Sequence, residues 1–232
     1  MKYEKIILLL KRQLVGGEHM ASKNISMAVI RRLPKYYRYL GDLLDKDIHR
    51  ISSKELSDII GFTASQIRQD LNNFGGFGQQ GYGYNVEALH NEIGKILGLD
   101  KTYNAILIGA GNLGQAIANY GGFKKAGFNI KALFDANPRM IGLKIRDFDI
   151  LDSEDVEEFV KNNNIGIAIL CIPKNGAQDM VDRLVSVGIK GIWNFASIDL
   201  EVPSDVIVEN VNLTESLFTL SYLMKEQRWI II

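Results

Sequence analysis

The segment Gly109-Ala110-Gly111-Asn112-Leu113-Gly114 constrains this chain most, because it lies between the apolar run Asn104-Ala105-Ile106-Leu107-Ile108 and a helical stretch from Gln115 to Tyr120. A GxGxxG at a strand-to-helix junction has a mechanical reason. The first glycine makes the turn, the second lets the backbone approach a pyrophosphate, and the third lets the helix pack on the strand with its N-terminus toward the anion. The chain is thereby committed to a Rossmann-like parallel sheet. Later segments alternate to match: strand Ile130 to Phe134, helix Glu154 to Lys161, strand Ile165 to Ile172, helix Ala177 to Val187, then strands Gly191 to Phe195 and Val206 to Val208.

Asp135 ends the second strand, twenty-one residues after Gly114. A carboxylate there accepts hydrogen bonds from a ribose hydroxyl and repels a 2′-phosphate, and Ala136-Asn137 add no adjacent cation, so NADH or NAD+ is expected rather than the phosphorylated cofactor. The expected cofactor site is Gly109, Ala110, Gly111, Asn112, Leu113, Gly114, Asp135 and Arg139 with Tyr120, joined by Ile172, Pro173, Asn194 and Phe195 from carboxyl ends of strands.

Upstream the chain changes character. Of its 27 basic and 27 acidic residues, the first 85 positions hold 13 and 8, whereas positions 86–232 hold 14 and 19. This asymmetry suits a basic domain that meets a polyanion. From Ile25 to Leu44, Ala28, Val29, Leu33, Tyr36, Tyr37, Leu40, Leu43 and Leu44 recur at helical spacing around Pro34, with Arg31, Arg32, Lys35 and Arg38 between them. Two capping boxes follow, Ser52 to Glu55 and Thr63 to Gln66, on short helices separated by a turn at Gly61. That is the helix-turn-helix pattern.

On the second of these helices Ile67, Leu71 and Phe74 face inward, which leaves Ser65, Gln69 and Asn72 outward with Gln66 and Arg68 on the flanks. Donors and acceptors without large apolar groups suit base edges in a major groove. The glycine-rich Gly75 to Tyr84 cannot be helix and predicts a hairpin wing, with Tyr82 and Tyr84 able to pack it on the domain. The DNA contacts expected are Arg31, Arg32, Ser65, Gln66, Arg68, Gln69, Asn72, Gln79 and Tyr82.

The fold class expected is therefore α/β: a winged helix-turn-helix domain over residues 20–86, a Rossmann-like domain over 87–211, and a helix with a short tail over 212–232. Residues 1–19 read as an extension outside the fold, with His19-Met20-Ala21-Ser22 resembling a junction left by cloning or by an upstream start codon. The single cysteine, Cys171, excludes a disulfide framework or a cysteine metal cluster and reads as a small buried hydrophobe in a reducing cytoplasm. No apolar run approaches the roughly 20 residues that cross a bilayer.

An enzyme is the alternative, either a small NAD-dependent oxidoreductase or a CoA-binding ligase subunit. The first needs an acid/base group beside the nicotinamide and the second a nucleophilic histidine, yet His19, His49 and His90 all precede the dinucleotide domain. A cofactor that acts as a signal fits better, and no enzymatic activity is expected.

The chain resembles the Rex family of bacterial redox-sensing transcriptional repressors. The match rests on Ile30-Arg31-Arg32-Leu33-Pro34 with Tyr36-Tyr37-Arg38, on Gln66-Ile67-Arg68 with Asp70-Leu71, and on the Phe74 to Tyr84 wing. It continues in the GxGxxG with Tyr120, in Phe134-Asp135, in Gly188-Ile189-Lys190-Gly191-Ile192 with Asn194-Phe195-Ala196, and in Glu209-Asn210-Val211. The resemblance implies a homodimer that binds a palindromic operator when NADH is low and leaves it when NADH binds. It also implies a C-terminal helix swapped into the partner, consistent with the apolar Leu213, Leu217, Phe218, Leu220, Tyr222, Leu223 and Met224. Redox state is implied to couple to domain closure through Arg38, Tyr120 and the position of Asn212. Two residues depart from the family pattern: Gln69 where Lys or Arg is usual, and Asn212 where Asp is usual.

Overall fold

A computed structural model of the chain describes residues 25–74, 78–79 and 82–227, so the expected extension over residues 1–19 lies outside the described residues. The chain divides into two units between Lys101 and Thr102.

In the first unit, α1 (Met27–Ile30) and α2 (Leu33–Leu44) are the halves of the expected first helix. Pro34 sits in the opening turn of α2, where its missing N–H has no intrahelical partner to lose. Helices α3 (Ser53–Ile60) and α4 (Ala64–Leu71) follow. Ser52 and Glu55 complete a reciprocal capping box on α3, and Gly61 closes that helix in the left-handed region at φ 79°. The box expected on α4 forms by half. Thr63 Oγ1 accepts from the Gln66 backbone N–H at 3.1 Å, but the Gln66 side chain turns to Asp70 rather than back to the helix start.

Strand β1 (Arg50–Ile51) pairs with β3 (Gly83–Asn85), which pairs on its other edge with β2 (Gly78–Gln79). The expected wing is thus the β2–β3 hairpin of a three-stranded antiparallel sheet. Gly83 is required there: its φ is +71°, and a Cβ would fall 2.6 Å from the Ile51 carbonyl oxygen. Tyr84 is buried, while Tyr82 remains 70% exposed, so only one of the two tyrosines packs the hairpin down.

Helix α5 (Val86–Ile96) corrects the expected domain limit at residues 86 and 87. Its Val86, Leu89 and Ile93 enter the same core as Leu33, Tyr36 and Leu40, and the boundary moves to Lys101.

The second unit runs β4 (Tyr103–Ile108), α6 (Asn112–Ala118), α7 (Gly122–Lys125), β5 (Phe128–Asp135), β6 (Lys144–Ile145) and β7 (Phe148–Asp152). After a 3-10 turn it continues through α8 (Val156–Asn163), β8 (Ile167–Leu170), α9 (Ala177–Ser186), β9 (Gly191–Asn194), β10 (Ile207–Asn210) and α10 (Leu213–Gln227). The sheet order is β10-β9-β8-β4-β5-β7-β6, parallel except for the β6–β7 hairpin. Numbered by the parallel strands alone this is 3-2-1-4-5-6, a doubly wound sheet whose strand order reverses between β4 and β8. Strand periodicity explains the layers: Ile106 and Ile108 join a core with Val156, Val160 and Val181, while Ala105 and Leu107 join Ile117 and Ala118 on the other face.

Helix α10 behaves differently. Leu213, Leu217, Phe218, Leu220, Tyr222, Leu223 and Met224 are each 50–69% exposed, so none of them is buried by the other described residues. Among the described residues no helix is long and apolar enough to cross a membrane.

Candidate DNA interface and dinucleotide cleft

Burial of Ile67, Leu71 and Phe74 fixes the rotation of α4, leaving Ser65, Arg68, Gln69 and Asn72 exposed along its outer face. Arg68 Nη1 donates to Ser53 Oγ at 2.9 Å, which holds the guanidinium at the start of α3. Arg31 and Arg38 are also exposed, the latter with its guanidinium 4.8 Å from the Tyr39 ring centroid. The side chain of Gln79 lies outside the described residues.

Two residues expected at DNA are engaged elsewhere. Asp70, fully buried on α4, accepts from Arg32 Nε at 2.6 Å and Nη2 at 2.7 Å, from Tyr36 Oη at 2.8 Å and from Gln66 Nε2 at 2.8 Å. Arg32 and Gln66, both expected as DNA contacts, thus brace the helix through Asp70, and the Arg32 side chain keeps 23% exposure. Burial opposes the Asp70 charge, yet the hydrogen bonds from Arg32, Tyr36 and Gln66 outweigh it and hold the carboxyl below its ordinary range. The bond to Asp70 raises Arg32 in turn, and burial raises Tyr36. Nothing in the apolar periodicity announces this network, whose Arg32 and Tyr36 lie 38 and 34 residues from Asp70 in the chain.

In the second unit the glycine loop follows β4, beside the carboxyl end of β8. The backbone N–H of Gly109 donates to Phe134 O and that of Cys171 to Ile108 O, both at 2.8 Å, which ties the three strand ends together. Each glycine has a distinct task. At φ +98°, Gly109 has no room for a Cβ, which would meet Cys171 O at 2.5 Å; at Gly114 a Cβ would meet Gly109 O at 1.9 Å; at Gly111 it would meet nothing within 4 Å. The first and third glycines serve packing, and the second opens on a cleft.

That cleft, about 490 Å³, is lined by Gly109, Gly111, Asp135, Ile172 and Pro173, all expected, and by Ala136, Ser153, Cys171, Asn175, Gly176 and Met180, which were not. No side chain caps α6, whose N-cap is Gly111, so no capping side chain competes for its first backbone donors. Asp135 accepts from the Ala110 N–H at 2.7 Å and the Asn137 N–H at 2.8 Å, so its carboxylate fastens the glycine loop to the end of β5. This donor and acceptor set, with space beside Gly111, fits a dinucleotide. Burial pushes the Cys171 thiol up to about 12, which leaves it protonated and poorly nucleophilic in the cleft wall.

Of the other expected cofactor contacts, Ala110, Asn112, Leu113 and Gly114 belong to the glycine loop and the start of α6 without lining the cleft, and Tyr120, Arg139, Asn194 and Phe195 do not line it either. Asn194 is spent internally: Nδ2 donates to Ile198 O and Asn210 Oδ1, and Oδ1 accepts from Ala196 N. Phe195 stacks edgewise on Trp193, which meets Phe123, which in turn meets the 62% exposed Tyr120. Arg139 is exposed in the turn after β5, its backbone N–H held by Asn137 Oδ1. Asn212 starts α10, its Oδ1 accepting from the Thr214 N–H at 3.0 Å and hydroxyl at 2.7 Å.

Comparison with known proteins gives these geometries a context. Residues 24–72 match a family model described as putative DNA-binding protein N-terminus, and residues 100–198 match one described as CoA binding domain. The chain is 83% identical over 207 residues to the redox-sensing transcriptional repressor Rex of Clostridioides difficile (strain 630), covering 89% of this chain and 99% of that protein. It is 69% identical over 209 residues to the protein of the same name from Caldanaerobacter subterraneus subsp. tengcongensis, covering 90% and 93%. Among solved structures it is similar to RSP in complex with β-NAD+ and operator DNA, at 66% identity and a TM-score of 0.83 over 90% of this chain and 96% of the other. RSP in complex with β-NADH is similar at 63% identity and the same TM-score, over 90% and 98%.

Proposed function

The chain belongs to the Rex family of redox-sensing transcriptional repressors, and on that premise we propose how its two units divide the work. The protein is a homodimeric, DNA-binding repressor that responds to the NADH/NAD+ balance, and its family consists of repressors rather than enzymes. Helix α4 enters the major groove and presents Ser65, Arg68, Gln69 and Asn72, while the β2–β3 wing with exposed Tyr82 lies along the backbone. Arg31 contributes to phosphate attraction.

In the second unit the glycine loop accepts the pyrophosphate, Asp135 accepts from ribose, and Ile172 and Pro173 wall the cleft. The nicotinamide supplies a redox state to be read, and the protein's part is to bind its two forms with different consequences for DNA affinity. Arg38 in one unit and Tyr120 and Asn212 in the other carry that linkage. Helix α10, with its uncovered apolar surface, forms the contact between protomers. A protein working on DNA without a membrane-crossing helix among its described residues belongs in the cytoplasm.

A single observation carries this reading: one chain joins a helix-turn-helix whose outer face is polar to a cleft built from Gly111 and Asp135. A mobility shift on a palindromic AT-rich duplex tests it. The band should persist with NAD+ and disappear with NADH; a band indifferent to both would refute it.

A further inference from the structure

Asp70 places four hydrogen-bond donors on one carboxylate at zero exposure, on the helix assigned to the groove. Three consequences follow from the geometry. Arg32 and Tyr36 belong to α2, so the carboxylate fixes how α4 is seated on the rest of the domain. Only the amino end of an amide can face a carboxylate, so the bond from Gln66 Nε2 to Asp70 fixes which way round the Gln66 amide is held. And the Arg32 guanidinium, whose side chain keeps 23% exposure, has its charge neutralised within the domain.

We propose that Asp70 is the positioning residue that sets sequence discrimination by this repressor, locking the reading helix and the Gln66 amide while withholding Arg32 from phosphate. The inference rests on the assignment of α4 to the major groove. Protein–DNA affinity has a sequence-blind part, supplied by cations on phosphates, and a sequence-dependent part that requires side chains held in register with base edges. Asp70 strengthens the second and weakens the first. Without it, the outward residues remain on α4, but their register loosens and one more guanidinium becomes available to the backbone.

The test compares full-length wild type with Asp70→Asn and Tyr36→Phe. Each is titrated by fluorescence anisotropy against a palindromic duplex with TTGTTA half-sites and a random duplex of equal length, over a range of salt concentrations. Asp70→Asn should lose at least about tenfold on the palindrome and nothing on the random duplex, because loss of one well-held base contact is worth about that much. Its salt dependence, log K against log salt, should steepen by about one unit as Arg32 reaches phosphate. Tyr36→Phe removes one donor and keeps the ring, so it should lose roughly two- to fivefold on the palindrome only. NADH affinity should not change in either variant.

Equal losses on both duplexes would make Asp70 merely structural, and no loss on either would dismiss it; an unchanged salt slope would refute the withheld cation. Should Asp70→Asn fail to fold, Tyr36→Phe and Arg32→Lys decide, and an unchanged ratio of palindromic to random affinity in both overturns the proposal. A wild type that binds both duplexes equally would instead refute the DNA reading of α4.

Discussion

Replacing Asp135 with alanine should do more than remove a ribose contact. The carboxylate accepts from the backbone N–H groups of Ala110 and Asn137 at 2.7 and 2.8 Å, so the side chain proposed to meet the ribose also anchors the glycine loop to the end of β5. Hydrogen bonds to a charged group contribute about 1.5–3 kcal/mol each, and partial exposure of Asp135 argues for the lower end. Loss of the ribose bond alone then weakens NADH by about tenfold, and a loop that must be ordered on binding costs about as much again. The expected result for Asp135→Ala is about 100-fold weaker NADH binding in a fluorescence titration. Asp135→Asn keeps one acceptor for a backbone N–H and loses the charge that repels a 2′-phosphate, so it should lose about tenfold for NADH and gain for NADPH. NADH binding within threefold of wild type in Asp135→Ala, or NADPH binding unchanged in both variants, would refute the assignment.

Other expectations concern DNA, acid stability and the switch. Gln69 presents one donor and one acceptor, the complement of adenine, so wild type should prefer TTGTTA over TTGTGA half-sites and Gln69→Lys should reverse the preference by about 1 kcal/mol per half-site; parallel affinities at one salt concentration would exclude base reading by Gln69. Asp70 has a depressed pKa when folded, so its contribution is complete above the unfolded value near 3.9 and is lost as pH falls through the lower folded value. Breaking a buried pair costs about 3 kcal/mol, and the melting difference between wild type and Asp70→Asn should be constant from pH 7 to 5 and shrink below about pH 4. A difference that stays flat in acid would contradict the pairing. Asn212→Asp keeps the oxygen that caps α10 and adds a charge favourable at a helix start, so the fold should hold while the NADH concentration for DNA release shifts. An unchanged release curve would remove position 212 from the switch.

Much of this molecule was legible from local rules. The turn from β4 through the glycine loop into α6, the caps at Ser52 and Thr63 and the β2–β3 hairpin are each signalled by residues close together in the chain, and each of these elements forms where the pattern puts it. What escaped depends on long-range packing. Asp70 looks like a surface acid on an amphipathic helix until α2, thirty-odd residues earlier, brings Arg32 and Tyr36 against it. Asn194 ends a strand where ligands often bind, but Ile198 and Asn210 exhaust its amide, and only the β9–β10 pairing reveals that. Helix α5 follows the wing without a break in composition, so its membership in the first unit depends on the burial of Leu89 and Ile93. Ser153, Gly176 and Met180 reach the cleft from separate turns and helices, and none carries a motif of its own.

The central claim is that one cleft reads the balance of two cofactor forms and transmits it to DNA. The most direct measurement holds the protein on a labelled palindromic duplex and titrates mixtures of NADH and NAD+ at several fixed totals, each well above saturation. If both forms compete for the cleft walled by Gly111 and Asp135, half-release depends on their ratio alone and the curves from different totals superimpose. Release that follows absolute NADH concentration whatever the NAD+, or a complex that ignores both, would contradict the account.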